Sequence, residues 1–528
     1  MGHTADVHEL LEVLGLLVVV TAVGGVARRY GLSSPLLLVV VGVAASFVPG
    51  IPSFELSAEF VLIVVLPPLL YSAALGSSLV GIRANRLTIG LLSVGYVAFC
   101  TLVVGLTVHA IVPGLPLAAA FALGAAVAPA DAVAATAIGR RLRLPNGLLT
   151  VLEGESLLND ATAITLLRVA VAAALTGGFS WLEAAGRLTW ASVGGVAIGL
   201  VVAVLVSWVR RRLDDPVVET SLSLLTPFIA FLPAEEVGAS GVVAVVTTGL
   251  VLGHRSAELL GSAARLQAQS VWRTIDFILE GTVFALIGLQ LRSILVRLGD
   301  YTPADLLLYA VVVCSVVIVS RFVWVFGTAY AGGLLRASRP DRRWRELVVV
   351  SWAGMRGVVT LAAAASIPLT VDTGEAFPQR DLIAFLAFCV IAVTLLGQGF
   401  TLPPLIRWLN IRRDETQDRL AEAEAAHLAA EQAALRLEEL LEAEGALPHG
   451  VADRLRQATQ SRSLGAWERL GGPGPETPSA AYRRLRVAIL QAERAALVAM
   501  RDDGRIDDDT LRTLQREVDL EETLLGDQ

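Results

Sequence analysis

The chain has 528 residues, is 55% hydrophobic with mean hydropathy +0.65, and carries a formal charge of −7. Apolar stretches of about 20 residues recur up to residue 410, the length that crosses a hydrocarbon core of ~30 Å. The chain therefore reads as an all-α polytopic membrane protein, and the short alternating strands of a β-barrel are excluded.

Thirteen candidate spans follow in order: 8–27, 34–50, 57–76, 87–113, 116–138, 147–176, 187–209, 217–234, 238–253, 270–293, 304–334, 346–370 and 382–408. The first reads as an uncleaved span, because no basic region precedes it. All 42 cationic residues are arginine, which fits a GC-rich genome. They alternate with side. Arg28-Arg29, Arg83/Arg86, Arg140 to Arg143, Arg210 to Arg212, Arg255/Arg265/Arg273, Arg336 to Arg345 and Arg412-Arg413 share one side, with Arg292 and Arg297 as exceptions. The positive-inside rule then puts the N-terminus outside and the C-terminus in the cytoplasm of a cell with a plasma (inner) membrane. Cys100, Cys314 and Cys389 fall inside apolar spans and read as small core residues.

Four ionisable groups lie near mid-depth. A helix rises about 1.5 Å per residue, so the midplane is roughly 10 residues from either end. Asp131 precedes Arg141 by ten positions, and Arg356 follows Arg345 by eleven. Glu155 and Asp160 sit at the same level in the run Glu153-Gly154-Glu155-Ser156-Leu157-Leu158-Asn159-Asp160. An ionisable group in hydrocarbon is costly, so it faces a cavity, a partner or a transported ion. Ser156 and Asp160 share a helix face, and Glu155 and Asn159 share the next. Glu153 lies nearer the inner mouth. Pro129 interrupts the span that holds Asp131, and Gly354 and Gly357 flank Arg356. One polar break in each half is the pattern of an inverted-repeat transporter with a midplane site. Freed carbonyls near Ala130 add oxygen ligands. A Walker-type loop, a Ser/His cluster and a basic aromatic surface for nucleic acid are all missing from the pattern.

Weaker expectations attach to other charges. Glu280 and Arg321 read as a structural ion pair. Arg168 reads as a structural partner near the outer side, His109 as an interfacial packing residue, and Glu235-Glu236 as a solvated loop. Beyond residue 410 the composition turns to Ala, Glu, Leu, Gln and Arg. Helices are expected at 414–443, 449–468, 478–502 and 506–524, with Leu435, Leu437, Leu440 and Leu441 as an apolar stripe and Gly471 to Pro475 as a linker. The division is a transmembrane domain at 1–410 and a cytoplasmic helical region at 411–528.

Glu155 to Asp160 resembles the Asn-Asp motif of monovalent cation/proton antiporters of the NhaP and sodium/proton exchanger type. Leu66-Pro67-Pro68-Leu69-Leu70-Tyr71, Asp131-Ala132-Val133-Ala134 and Gly354-Met355-Arg356-Gly357 resemble that family's third, fifth and twelfth spans, in matching order. The resemblance implies a thirteen-span homodimer with inverted repeats and two broken helices. It implies that Asp160 binds cation and proton, with Asn159 beside it. It implies Na+ at Asp160, Asp131 and Ser156, with the Ala130 carbonyl and Ser72 completing the site. Glu155 and Arg356 map onto a buried ion pair. No cofactor is implied beyond the transported Na+ or Li+ and H+. Asn159, in place of a second aspartate, implies electroneutral exchange. Two departures stand out: Ser72 occupies a position where the family often carries an acid, and the proline before Asp131 is displaced with a hydroxyl lost. A K+/H+ exchanger, or a sensor or channel on the same fold, are the alternatives.

Overall fold

The computed structural model describes residues 2–30, 32–49, 59–176, 181–298, 301–332, 343–370, 376–411, 415–444, 448, 450–468 and 476–526. The chain divides into two compact units, residues 1–413 and 414–528. The first unit holds helices α1 (Gly2–Tyr30), α2 (Ser34–Ser46), α3 (Phe60–Gly76), α4 (Arg86–Ile111), α5 (Leu117–Val127), α6 (Ala132–Arg141) and α7 (Asn146–Thr176). It continues with α8 (Trp181–Arg210), α9 (Pro216–Glu236), α10 (Gly241–His254), α11 (Ser262–Leu289), α12 (Pro303–Gly332), α13 (Arg343–Trp352), α14 (Val358–Ala365) and α15 (Arg380–Leu409).

Among the described residues, nine helical segments are long and apolar enough to cross a membrane, and α2, α3 and α10 are shorter apolar helices. The sequence expects thirteen spans. The segment 346–370 is the one that neither set contains, because it consists of two short helices, α13 and α14. Turn chemistry sets the starts. The Asp215 carboxylate accepts from Val217 N–H at 2.7 Å to open α9, and the Ser240 hydroxyl accepts from Val243 N–H at 3.3 Å to open α10.

Helices in lipid associate through close packing, because hydrocarbon offers no hydrophobic drive between them. The crossing of α2 and α11 shows this: a Cβ on Gly288 would lie 2.5 Å from the Val39 carbonyl oxygen. Three apolar clusters form the interior. One gathers α2, α6, α13 and α15, a second α4, α5, α12 and α15, and a third α3, α8, α9 and α10. The helix α7 places buried residues in all three, through Leu148 and Leu152, Ala163 and Leu167, and Leu157 and Ala161. The helix that carries Glu155 to Asp160 is therefore central. By contrast α8 shows Trp190, Val193, Val204 and Trp208 on its outer face, as a lipid-facing helix must.

The second unit is two helical hairpins, α16 (Glu415–Glu444) with α17 (Val451–Glu468), and α18 (Pro478–Asp502) with α19 (Asp508–Gly526). Arg456 Nε meets Glu438 Oε1 at 2.9 Å across the first. Arg486 grips Glu521 at 2.6 and 2.7 Å across the second, and holds that carboxyl below the usual carboxylate range. Leu490, Leu511 and Val518 are buried between α18 and α19. The expected stripe on α16 is only partly covered: Leu437 and Leu441 are half-buried, while Leu435 and Leu440 are exposed. The expected linker at 471–475 lies outside the described residues.

Candidate functional site

Two helices break where the sequence expects them. Residues 128–131 separate α5 from α6, and residues 353–357 separate α13 from α14. Each break leaves orphan carbonyls at a C-terminus and orphan N–H groups at an N-terminus, all of them away from water. The two breaks satisfy each other. The Asp131 N–H donates to the Met355 carbonyl at 2.7 Å. Arg356 reaches back to the end of α5, donating from Nε to the Val127 carbonyl (3.0 Å) and from Nη2 to the Ala128 carbonyl (3.3 Å). It also donates to the Gly354 carbonyl and, at 2.6 Å, to the Tyr96 hydroxyl. A cation at a helix C-terminus suits the dipole there. The Arg356 N–H donates to Thr394 Oγ1 at 3.0 Å, which anchors the second break to α15.

Asp131 opens α6. Its Oδ1 accepts from Val133 N–H at 2.8 Å, while Ser156 Oγ of α7 accepts from Ala132 N–H at 3.2 Å. The other oxygen, Oδ2, lies against Gly357, where a Cβ would overlap it. The absence of a side chain at 357 is what lets this carboxylate sit at the start of both α6 and α14.

Asn159 ties α7 to the first break. Its Nδ2 donates to the Ala130 carbonyl at 2.7 Å, leaving that carbonyl one lone pair, and its Oδ1 is buried with no partner. Asp160 is 5% exposed and has neither a hydrogen bond nor an ion pair among the described residues. The charged group that acts on it is Asp131. Neither carboxylate is paired with an arginine among the described residues. An isolated charge in so dry a place is disfavoured, so a proton or a cation must accompany it. Asp131, Asn159, Ser156 and Ala130 contribute carboxylate, amide, hydroxyl and carbonyl oxygens at the adjoining break.

Glu155, one turn earlier, is bound differently from expectation. Its carboxylate takes both arms of Arg321 on α12, Nη1 to Oε1 at 2.5 Å and Nη2 to Oε2 at 2.7 Å, with both side chains at most 2% exposed. Arg321 Nε donates to the Val350 carbonyl at 3.1 Å. The expected Glu155–Arg356 pair is therefore corrected: Arg356 spends its donors on carbonyls and Tyr96, and Arg321 neutralises Glu155. The expected Glu280–Arg321 pair falls for the same reason. At the rim, Glu153 pairs with Arg140 at 2.7 Å.

The family model of the sodium/hydrogen exchanger transmembrane region matches residues 15–408. The chain belongs to that family. A Na+/H+ exchanger of Mycobacterium bovis is 35% identical, over 98% of this chain and 97% of its own length. A sodium, potassium, lithium and rubidium/H+ antiporter of Bacillus subtilis is 35% identical, over 75% of this chain and 61% of its own length. The sodium proton antiporter MjNhaP1 from Methanocaldococcus jannaschii shares the fold with a TM-score of 0.60 at 19% identity, over 76% of this chain and 99% of that one.

This exchanger is thus a multi-pass membrane transporter of monovalent cations and protons, and not an enzyme. Of the residues expected at the site, Asp160, Asp131, Ser156, Asn159 and the Ala130 carbonyl are brought together. Ser72 is turned elsewhere: its hydroxyl donates to Asp276 Oδ2 of α11 at 2.5 Å. Sequence reading missed Asp276, Tyr96 and Thr394. Tyr96 ends a π-helical stretch, Leu91–Tyr96, and Thr394 is the second residue of another, Val393–Gln398. Such bulges gather at functional sites but carry no sequence signal of their own. Arg168 finds its partner in Glu235 at 2.7 Å, and Glu235 lies in the last turn of α9, so the expected solvated loop is corrected to a paired helix end. His109 Nδ1 meets the Leu115 carbonyl at 2.8 Å, in keeping with a packing role.

Proposed function

We propose that this exchanger swaps Na+ or Li+ for H+ at the Asp160 carboxylate, one for one, by alternating access. The observation that carries the reading is an enclosed Asp160 with no positive partner among the described residues, one turn beyond a Glu155 that is fully neutralised by Arg321. Asp160 holds a proton or a cation, and the empty charged form is disfavoured during transit. Competition for one carboxylate then couples the two flows without ATP. Asp131, Ser156 and the free lone pair of the Ala130 carbonyl supply further oxygens to the cation. Asn159 adds its free Oδ1 and holds the unwound stretch in place. A neutral amide at that position supports electroneutral exchange.

In this reading the protein is a homodimer in the plasma membrane, with the N-terminus outside and the second unit in the cytoplasm, where it acts on dimer stability or regulation. The transported ions are the only small partners required. The range of ions in the name of the Bacillus subtilis relative favours one second reading, exchange of K+ as well. Proteoliposomes carrying an internal pH dye test both. Addition of Na+, Li+ or K+ in turn is expected to move protons in the wild type, and Asp160→Asn is expected to abolish the signal in folded protein. Wild-type flux in that variant refutes the site. Cation flux without proton movement in the wild type refutes exchange and favours a channel.

A further inference from the structure

The α11 helix brings two carboxylates, Asp276 and Glu280, one turn apart on a shared face. Their surroundings are unusual for a membrane interior. Asp276 Oδ2 accepts from Ser72, while Oδ1 is enclosed and has no hydrogen-bond partner. Glu280 has no hydrogen bond or ion pair among the described residues, and the charges that act on it are Asp131 and Asp276. No arginine serves either group: Arg321 is committed to Glu155 and Arg356 to carbonyls.

These carboxylates do not close into a single metal cage among the described residues. They form a succession instead. Asp276 lies nearest the arginine-rich start of α11 and Glu280 one turn deeper; Asp131 acts electrostatically on Glu280 and also on Asp160, which links the α11 pair to the site at the helix breaks. The outermost member is also the most firmly placed. Tyr71 packs on Trp272 with ring centroids 5.4 Å apart, and Trp272 Nε1 donates to Ser223 Oγ at 3.1 Å. Tyr71 and Ser72 of α3 therefore meet Trp272 and Asp276 of α11 as a matched pair of contacts. Position 72 has no acid of its own, but its hydroxyl lies against one. In this chain the carboxylate is supplied from α11, and the hydroxyl at 72 holds it.

We propose that Asp276, held by Ser72, is a selectivity-determining carboxylate that receives the cation on the arginine-rich side and passes it by Glu280 to Asp131 and Asp160. This rests on the antiport reading above. It assigns Asp276 a role in cation affinity from that side, separate from the exchange chemistry at Asp160.

The test is the Na+ dependence of proton flux in proteoliposomes, with the cation offered on the arginine-rich side. Asp276→Asn is expected to raise the half-saturating Na+ about tenfold, with a smaller effect on maximal rate. The transposed variant, S72D with D276S, is expected to return half-saturation to within about threefold of wild type, because the charge is restored on the other helix. A half-saturation unchanged in Asp276→Asn overturns the proposal, as does a transposed variant no better than Asp276→Asn. If Asp276→Asn does not insert, the transposed variant decides alone: near-wild-type half-saturation supports the proposal, and loss of cation dependence overturns it. Absence of cation-evoked flux in the wild type would instead remove the antiport reading itself.

Discussion

Arg321→Met is the sharpest probe of how α7 is held. It strips two charge-assisted bonds of 2.5 and 2.7 Å from Glu155 and leaves that carboxylate 2% exposed with no cation. Breaking a buried pair from one side costs about 3–5 kcal/mol. The lost bond from Nε to the Val350 carbonyl adds about 1 kcal/mol. Glu155→Gln exposes the mirror problem on Arg321. The double variant, E155L with R321M, removes both charges and is expected to regain most of the loss, so the two changes couple by about 3 kcal/mol or more. Reversible unfolding in mixed detergent micelles measures the cycle. The same cycle between Glu155 and Arg356 is expected to give a much smaller coupling, because these residues share no bond. Additive losses for Glu155 and Arg321, or a large coupling to Arg356, would refute the assignment.

Other outcomes follow from the same geometry. Gly357→Ala places a methyl group on Asp131 Oδ2 and is expected to cut exchange at least tenfold while the protein still inserts, read by proton flux and size exclusion. Asn159→Ala leaves the Ala130 carbonyl without its donor and is expected to cost about 1–3 kcal/mol of stability, with reduced exchange. Arg168→Ala breaks a pair that is 56% and 27% exposed, so the stability change is expected to stay within about 1 kcal/mol and exchange within about twofold.

The sequence announced the two breaks and the group at Asp160, because proline, paired glycines and buried charges at one depth are local signals. It did not announce which arginine serves which partner. Depth places Arg321 and Arg356 at the same level, but direction around the helix decides the pairing. A clue lay in the chemistry: an arginine in an unwound stretch faces a helix end whose carbonyls need donors, and a guanidinium has five N–H groups to give. Arg321, on the regular helix α12, was left for the carboxylate. Ser72 and Asp276 are 204 positions apart, and no periodicity joins them. The hydroxyl at 72 read as a lost charge because only the three-dimensional contact shows the carboxylate beside it. The tail helices were legible to within two residues at their starts, since Ala, Glu and Leu dominate there. Which faces meet was not, as exposed Leu435 and Leu440 show.

The central claim is that one carboxylate carries either ion. Calorimetric titration of Na+ into purified protein, repeated in buffers of different ionisation enthalpy, counts protons released per cation bound. Below the pH at which the free carboxylate empties, the wild type is expected to release close to one proton per Na+, and Asp160→Asn none. Sodium binding with no proton release in the wild type, or undiminished release in Asp160→Asn, would contradict the account.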